Sequence, residues 1–351
     1  MIHAARVRKA AIAAMMAATL TAATGCGVFG QQTSQQIDPP RAQPPGIGGE
    51  LDQETVAVPD NAAQVTLYLS DRNGYIAPVT LLAPKEQGAS LEQTALEMLV
   101  RDSDYTSQLP DGFEAVLPTG TEVNSVTVDP ERELAIVDLS ALFTGYNVQD
   151  ERRIVESLTW TLTGFPGIEG VELWSEGVQL TEMPVDGFPL EEPLSRAVGI
   201  NLERSLGVDV SRSMPVTLYF SAVSPLDEQY YVPVTRLVER ADDAARAALE
   251  QLVAGPAPLT PLSGVMTPDV EVAEVTLENG VATVNLQDDA YSPQQPMPAE
   301  MLQSVILSVS DMTGAEQVMI QINGQSDVLD TNQRSYSEPV ARPEAINALK
   351  S

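Results

Sequence analysis

A chain of 351 residues with 43% apolar and 19% charged side chains is long enough for two domains and apolar enough to bury a core in each. Its 49 acidic against 19 basic side chains give a formal net charge of −30. Such a surface repels phosphate backbones and anionic head groups, which argues against nucleic-acid binding and against membrane contact through a basic patch.

The first residues read as an export signal. Arg6, Arg8 and Lys9 precede an apolar stretch over 10–24, and small residues end in Ala23-Thr24-Gly25-Cys26. About fifteen apolar residues are too few to cross a bilayer, which takes around twenty. The ending is similar to a bacterial lipobox, with Ala23 where that motif usually carries leucine. Cys26 is therefore the expected lipidation site, and an unpaired thiol in an oxidising compartment would otherwise be awkward. Residues 27–62 hold a Gln-Gln-Thr-Ser-Gln-Gln run, Pro39-Pro40 and Pro44-Pro45 with little apolar periodicity, the composition of a tether.

Beyond the tether the chain is one unit written twice. Val65-Thr66-Leu67-Tyr68 returns as Val216-Thr217-Leu218-Tyr219, and Pro78-Val79-Thr80 as Pro233-Val234-Thr235. Glu192-Pro193, Arg196 and Ile200-Asn201 return as Glu338-Pro339, Arg342 and Ile346-Asn347. A long period used twice is a duplicated domain and not a solenoid, which needs about three or more short units to bury a core.

Each unit opens on an alternating strand, Val65, Leu67 and Leu69 on one face, and Asn73-Gly74 signals a hairpin into a second strand near 76–82. In the second unit the connection, 222–230, is four residues longer and reads as a lengthened loop. Ser90 to Gln93 forms a capping box before a helix that buries Leu91, Ala95, Met98 and Leu99; its counterpart follows Asp242 with Ala245, Ala248, Leu249 and Leu252. A second hairpin runs from Val126 to Leu139, with Glu278-Asn279-Gly280 as the matching turn. A second helix over 150–163 turns Ile154, Val155, Leu158 and Leu162 inward, matched by Met301, Leu302, Val305 and Val309, with Pro298 placed in the first turn. Further strands at 171–174 and 318–322 and a closing Glu-Pro-x-x-Arg segment complete each unit.

The expected fold class is α+β: two tandem homologous domains, each about ββαββαβ(β) with two helices on a mixed or antiparallel sheet. The boundaries fall at 63–203 and 214–350, with 204–213 as the connection between them.

The order of these motifs resembles a known family. The Val-Thr-Leu-Tyr and Pro-Val-Thr strands, the Ala-Leu-Glu-x-Leu-Val helix, Ala-x-Val-Asp-Leu-Ser at 135–140, Val-Glu-Leu-Trp-Ser-Glu-Gly at 171–177 and the Glu-Pro to Ile-Asn ending at 192–201 look like the GerMN domain. Two such domains behind a lipobox resemble the GerM-like sporulation and germination lipoproteins. That resemblance implies a non-catalytic protein held by lipid on Cys26 at the extracytoplasmic face of the cell membrane. It further implies protein partners in the envelope, among them the channel complex between mother cell and forespore.

Chemistry can be weighed independently. His3 is the single histidine and Cys26 the single cysteine, so beyond Cys26 a Ser-His-Asp triad, a Cys-His pair and a zinc site are all excluded. The lysines Lys85 and Lys350 do not recur between units. What remains is paired-carboxylate chemistry, as in glycan hydrolysis. Asp138 is the best placed acid, yet its counterpart is Asn285, which points to local backbone capping. Glu172 and Glu176 flank Trp174, which reads as an exposed aromatic hairpin; their counterparts Met319, Asn323 and Gln321 share neither acid nor ring. Arg196 and Arg342 do recur and are expected to tie the closing segment to nearby acids or carbonyls. No EF-hand spacing appears, and no catalytic residue, metal or cofactor is assigned. The alternative functions are peptidoglycan binding or carboxylate-dependent hydrolysis of spore cortex, and a solute receptor, which would need alternating βαβ winding that is absent.

Overall fold

The alternating run of apolar and hydroxyl residues after the tether becomes a ten-residue strand, β1 (Ala62–Asp71), with Val65, Leu67 and Leu69 buried. It pairs antiparallel with β2 (Ile76–Pro84), Ser70 opposite Ile76. The structure is a computed structural model that describes residues 58–85, 88–190, 192–205, 207–293 and 295–349. The Cys26 lipidation site, the export segment, Lys350 and all but the last residues of the tether lie outside the described residues.

The rest of the first copy follows in order: α1 (Leu91–Met98), β3 (Phe113–Glu114), β4 (Val123–Asp129), β5 (Leu134–Leu139), α2 (Glu151–Leu162), β6 (Gly170–Ser175) and β7 (Val178–Gln179). Ser90 caps α1 by accepting the Gln93 N–H at 3.2 Å. β5 and β6 are parallel, joined through α2, while β4 and β7 run antiparallel at the two edges. The sheet of each copy is thus divided in two, a hairpin sheet β2-β1-β3 and a mixed sheet β4-β5-β6-β7.

The connecting β8 (Glu203–Arg204) pairs parallel with a strand of the second copy. That copy is built from β9 (Ser213–Val223), β10 (Gln229–Glu239), α3 (Ala244–Ala254), β11 (Glu271–Glu278), β12 (Val281–Gln287), α4 (Ala299–Thr313), β13 (Gln317–Ile322) and β14 (Val340–Ala341). Its mixed sheet, β11-β12-β13-β14, has the same strand directions as the first, while its hairpin sheet, β8-β10-β9, takes its third strand on β10 where the first copy takes β3 on β1. Even the irregularity in the second hairpin recurs, between Val123 and Ser125 and between Val272 and Glu274. The closing Glu-Pro-x-x-Arg segment does add an edge: β14 lies on β13, and Leu194 makes the corresponding bridge to Val171.

Two start signals shift by one residue. The cap of α3 is Asp243, whose Oδ1 accepts the Arg246 N–H at 2.9 Å, in place of Asp242. Pro298 is the N-cap residue of α4 and not its first helical residue.

The longer connection of the second copy is not a longer loop. In the first hairpin Asp71 N–H donates to Tyr75 O, Gly74 N–H donates to Asp71 O, and Asp71 Oδ1 accepts the N–H groups of Asn73 and Tyr75, both at 2.8 Å. Ser224 repeats every one of these bonds with Glu228, Asp227, Leu226 and Glu228. Gly74 and Asp227 sit at the same left-handed position, φ 84° and 60°. The turn is unchanged, and the four extra residues lengthen both flanking strands by two each. The second tip therefore projects about 7 Å further, two strand rises.

The two copies form one compact unit whose buried apolar residues make a continuous core through both. Each second helix lies on its own first strand, where the Tyr68 N–H donates to Thr161 Oγ1 and the Tyr219 N–H to Ser308 Oγ, both at 3.0 Å.

Candidate functional site

The features that recur in both copies converge where the copies meet. Along β2, and along β10 outside the two residues that β8 pairs, outward-facing backbone groups have no strand partner, and buried groups of that kind need partners. Asn201 supplies them on one side: its Nδ2 donates to Ile76 O and to Pro233 O, both at 2.7 Å, and its Oδ1 accepts the Ile76 N–H at 2.8 Å. Asn347 does the same on the other, donating to Pro78 O at 2.7 Å and Tyr231 O at 2.8 Å and accepting the Tyr231 N–H. The residue before each asparagine crosses to the opposite copy. Ile200 exchanges bonds with Thr235 and Ile346 with Thr80, backbone to backbone and N–H to hydroxyl, over 2.8–3.0 Å.

Each copy thus ends by strapping itself to the other. Both asparagines are left-handed, φ 48° and 53°, a conformation asparagine tolerates better than most residues. Pro78 and Pro233 have no N–H to leave unpaired, which suits positions whose outer side no strand pairs.

A charged cluster sits beside the straps. Arg342 donates from Nη1 to Asp311 Oδ1 at 2.5 Å and to Leu307 O, and from Nη2 to Tyr219 Oη at 3.2 Å. The Tyr219 hydroxyl donates to Asp311 Oδ2 at 2.6 Å. Arg196 comes from the first copy, stacks 4.5 Å over the Trp160 ring, donates from Nε to Thr163 Oγ1 and reaches Asp311 Oδ1 at 3.3 Å. Burial pushes the hydroxyls of Tyr68 and Tyr219 above their ordinary value, so both stay neutral here. The cluster therefore holds two guanidinium cations and one carboxylate.

The carboxylates singled out from the sequence do not converge. Asp138 accepts the Gly177 N–H at 2.9 Å, and Asn285 accepts the Gly324 N–H at 3.0 Å, so either side chain closes the same turn. Glu172 pairs with the exposed Arg132 at 2.7 Å, and Glu176 accepts the Ala141 N–H at 2.7 Å. Trp174 differs from expectation: it is half-buried, and its indole N–H is enclosed without a partner among the described residues. In the sheet it stands between Asp138 of β5 and Gln179 of β7.

Sequence reading missed two buried acids on α2. Glu151 accepts the Tyr146 hydroxyl and the N–H groups of Val185, Asp186 and Phe188 at 2.7–3.1 Å. Burial pushes its carboxyl up, but these four donors outweigh that and hold it below its ordinary value. Glu156 goes the other way: burial raises it despite Arg152 and the Asn201 N–H. Neither position recurs, since Pro298 and Gln303 stand in the second copy, so the repeat gave no signal.

A cleft of about 610 Å³ opens between the hairpin tip at 73–75, Arg152, Arg153 and Glu156, and the second copy's loop at 259–261. The longer hairpin brings Pro225 onto Gly112, where even a Cβ would come within 2.6 Å of the ring. Charges in the open cleft are paired within the chain, Arg152 with Glu156, Arg153 with Asp150 and Glu203 with Arg236.

The duplicated architecture agrees with comparisons to known proteins. The family model described as "Germane: Sporulation and spore germination" matches residues 66–181 and again 217–328. The chain belongs to the Germane family. Among Germane relatives, the spore germination protein GerM of Bacillus subtilis (strain 168) is 34% identical over 348 residues, covering 92% of this chain and 93% of that protein. The solved structure of the tandem GerMN domains of the sporulation protein GerM from Bacillus subtilis aligns with a TM-score of 0.75 at 36% identity, over 81% of this chain and 99% of that one. This is a sporulation and germination protein with two homologous GerMN domains.

Proposed function

We propose that this Germane protein is a non-catalytic scaffold of the cell envelope in spore formation and germination, tethered by lipid on Cys26 and acting through protein partners. The observation that carries the reading is where the recurring residues go. Asn201, Asn347, Thr80, Thr235 and Arg196 join the copies to each other, and Arg342 holds the carboxylate that Arg196 reaches, while the acids that invited a hydrolytic reading each hold a loop or a turn. The export signal and lipobox-like ending support placement outside the cytoplasm, and the 27–62 tether would let the paired domains stand away from the bilayer.

Three experiments test this. Cys26→Ala should move the protein from the membrane to the soluble fraction with its fold intact; full membrane retention would refute the anchor. Incubating the purified chain with spore cortex should release no muropeptides, and clear release would replace the scaffold by a hydrolase. Pull-down from sporulating cells through the anchored chain should recover envelope proteins, among which subunits of the channel between mother cell and forespore are expected.

A further inference from the structure

Two arginines at the joint share one carboxylate, and the repeat says where a second is missing. Residues 154–170 align with 301–317 at constant spacing. Thr161 and Ser308 hold equivalent tyrosine N–H groups, Gly167 and Gly314 are both left-handed at φ 77° and 67°, and the N–H groups of Glu169 and Glu316 donate to the matching carbonyls of Glu133 and Gly280. On that alignment the counterpart of Asp311 is Gly164. A Cβ there would meet the carbonyls of its own turn, Thr161 O closely at 3.2 Å and Trp160 O at 3.5 Å, with no other heavy atom within 4 Å.

Arg342 finds its carboxylate on the helix of its own copy. Arg196 has none at the matching position and stretches across the joint to the one its partner already holds, at 3.3 Å against 2.5 Å. The Arg196 side chain is 34% exposed and that of Asp311 only 8%, so the shared carboxylate is enclosed while the under-supplied arginine keeps partial access to solvent. An arginine fork binds oxyanions in plane with two parallel N–H bonds, and the Trp160 ring beneath fixes the plane of this one.

We propose that Arg196, beside the bare Cα of Gly164, is an anion site that takes one oxyanionic group, a carboxylate or a phosphate, in the place Asp311 fills in the second copy. The ligand balances the second guanidinium and ties the first copy's closing segment to the turn that follows α2. Such groups are borne by peptides and by envelope polymers alike, and the site reads only the group.

The test is the melting temperature of the purified chain in sodium acetate or sodium phosphate against sodium chloride at matched sodium and pH 7. A site that binds the folded chain raises Tm by mass action, here about 3 °C between 1 and 50 mM anion. Gly164→Asp installs the missing carboxylate: its Tm without anion should exceed that of the unsubstituted chain, and the anion-dependent rise should vanish. Arg196→Gln should also lose the rise, and calorimetric titration of the unsubstituted chain gives the same answer without any variant. A rise with acetate alone assigns a carboxylate ligand and a rise with phosphate alone a phosphate. No rise with either in the unsubstituted chain, or an equal rise in Gly164→Asp, overturns the proposal.

Discussion

The two hairpins that open the copies use the same five-residue turn but meet the other copy differently: from the first, Arg72 donates to Val223 O at 3.2 Å and Asp71 accepts the Tyr230 hydroxyl at 2.7 Å, while the longer second lays Pro225 on Gly112. Asp71 and Ser224 hold their turns with matching bonds, and the second hairpin gains two residues on each strand. An even number per strand preserves which side chains face inward, because strand faces alternate with a period of two. The insertion therefore changes reach without disturbing the core: Pro225 covers Gly112 on one side, and the cleft at 73–75 stays open on the other. Where the copies agree, they agree on the joint. Apart from hairpin length they differ in charge, as at Asp311 and Gly164, Gln303 and Glu156, or Pro298 and Glu151.

The joint itself is the place to break this comparison. Asp311→Asn leaves two guanidinium groups without their carboxylate in a partly enclosed setting and should cost about 3 kcal/mol, at the low end for a broken buried pair because both arginines keep some water. Urea unfolding measures it, and a loss under 1 kcal/mol would mean that the cluster is a surface feature.

The straps should follow closely. Asn347→Ala strands an N–H and two carbonyls in a site only 4% exposed and should cost about 2–3 kcal/mol, with Asn201→Ala costing roughly 1 kcal/mol less because it keeps more solvent. Both variants should shift one common transition, since each asparagine binds both copies. Two separate transitions, of which one moves, would show that the halves unfold independently.

The smallest effect is a change of slope with pH. Glu151 has a folded value below its ordinary 4.5, so the stability it contributes is complete above that value and is lost as pH falls through the lower folded one. Glu156 is raised, so its ionised form costs stability near neutrality and the cost disappears as pH falls through the raised folded value. Glu156→Gln, which installs the residue of the second copy, should remove that acid-side relief, and Glu151→Gln should flatten the acid loss. Tm followed from pH 3 to 7 separates them.

Much of this was legible beforehand because it depends on local chemistry. Alternation gave β1 and β9, Ser90 announced α1, and the exchange of Asp138 for Asn285 pointed to a turn cap, which both side chains are. The strap was visible only as a repeated Ile-Asn, with nothing to say what it bonded. Asp311 gave no signal, since it does not recur, and Trp174 looked exposed because the sequence does not record which strands flank it.

By itself, the sequence determined a scaffold used twice, its elements and turns, and a chain that beyond Cys26 carries neither imidazole nor thiol. Only the tertiary structure decided what the repeat is for. Asn201 meets Ile76 across 125 positions and Asn347 meets Pro78 across 269, contacts that exist only once two strand edges lie close enough to leave their N–H and C=O groups without water. A buried backbone edge must find a partner, and in this protein each copy finds it in the last residues of both.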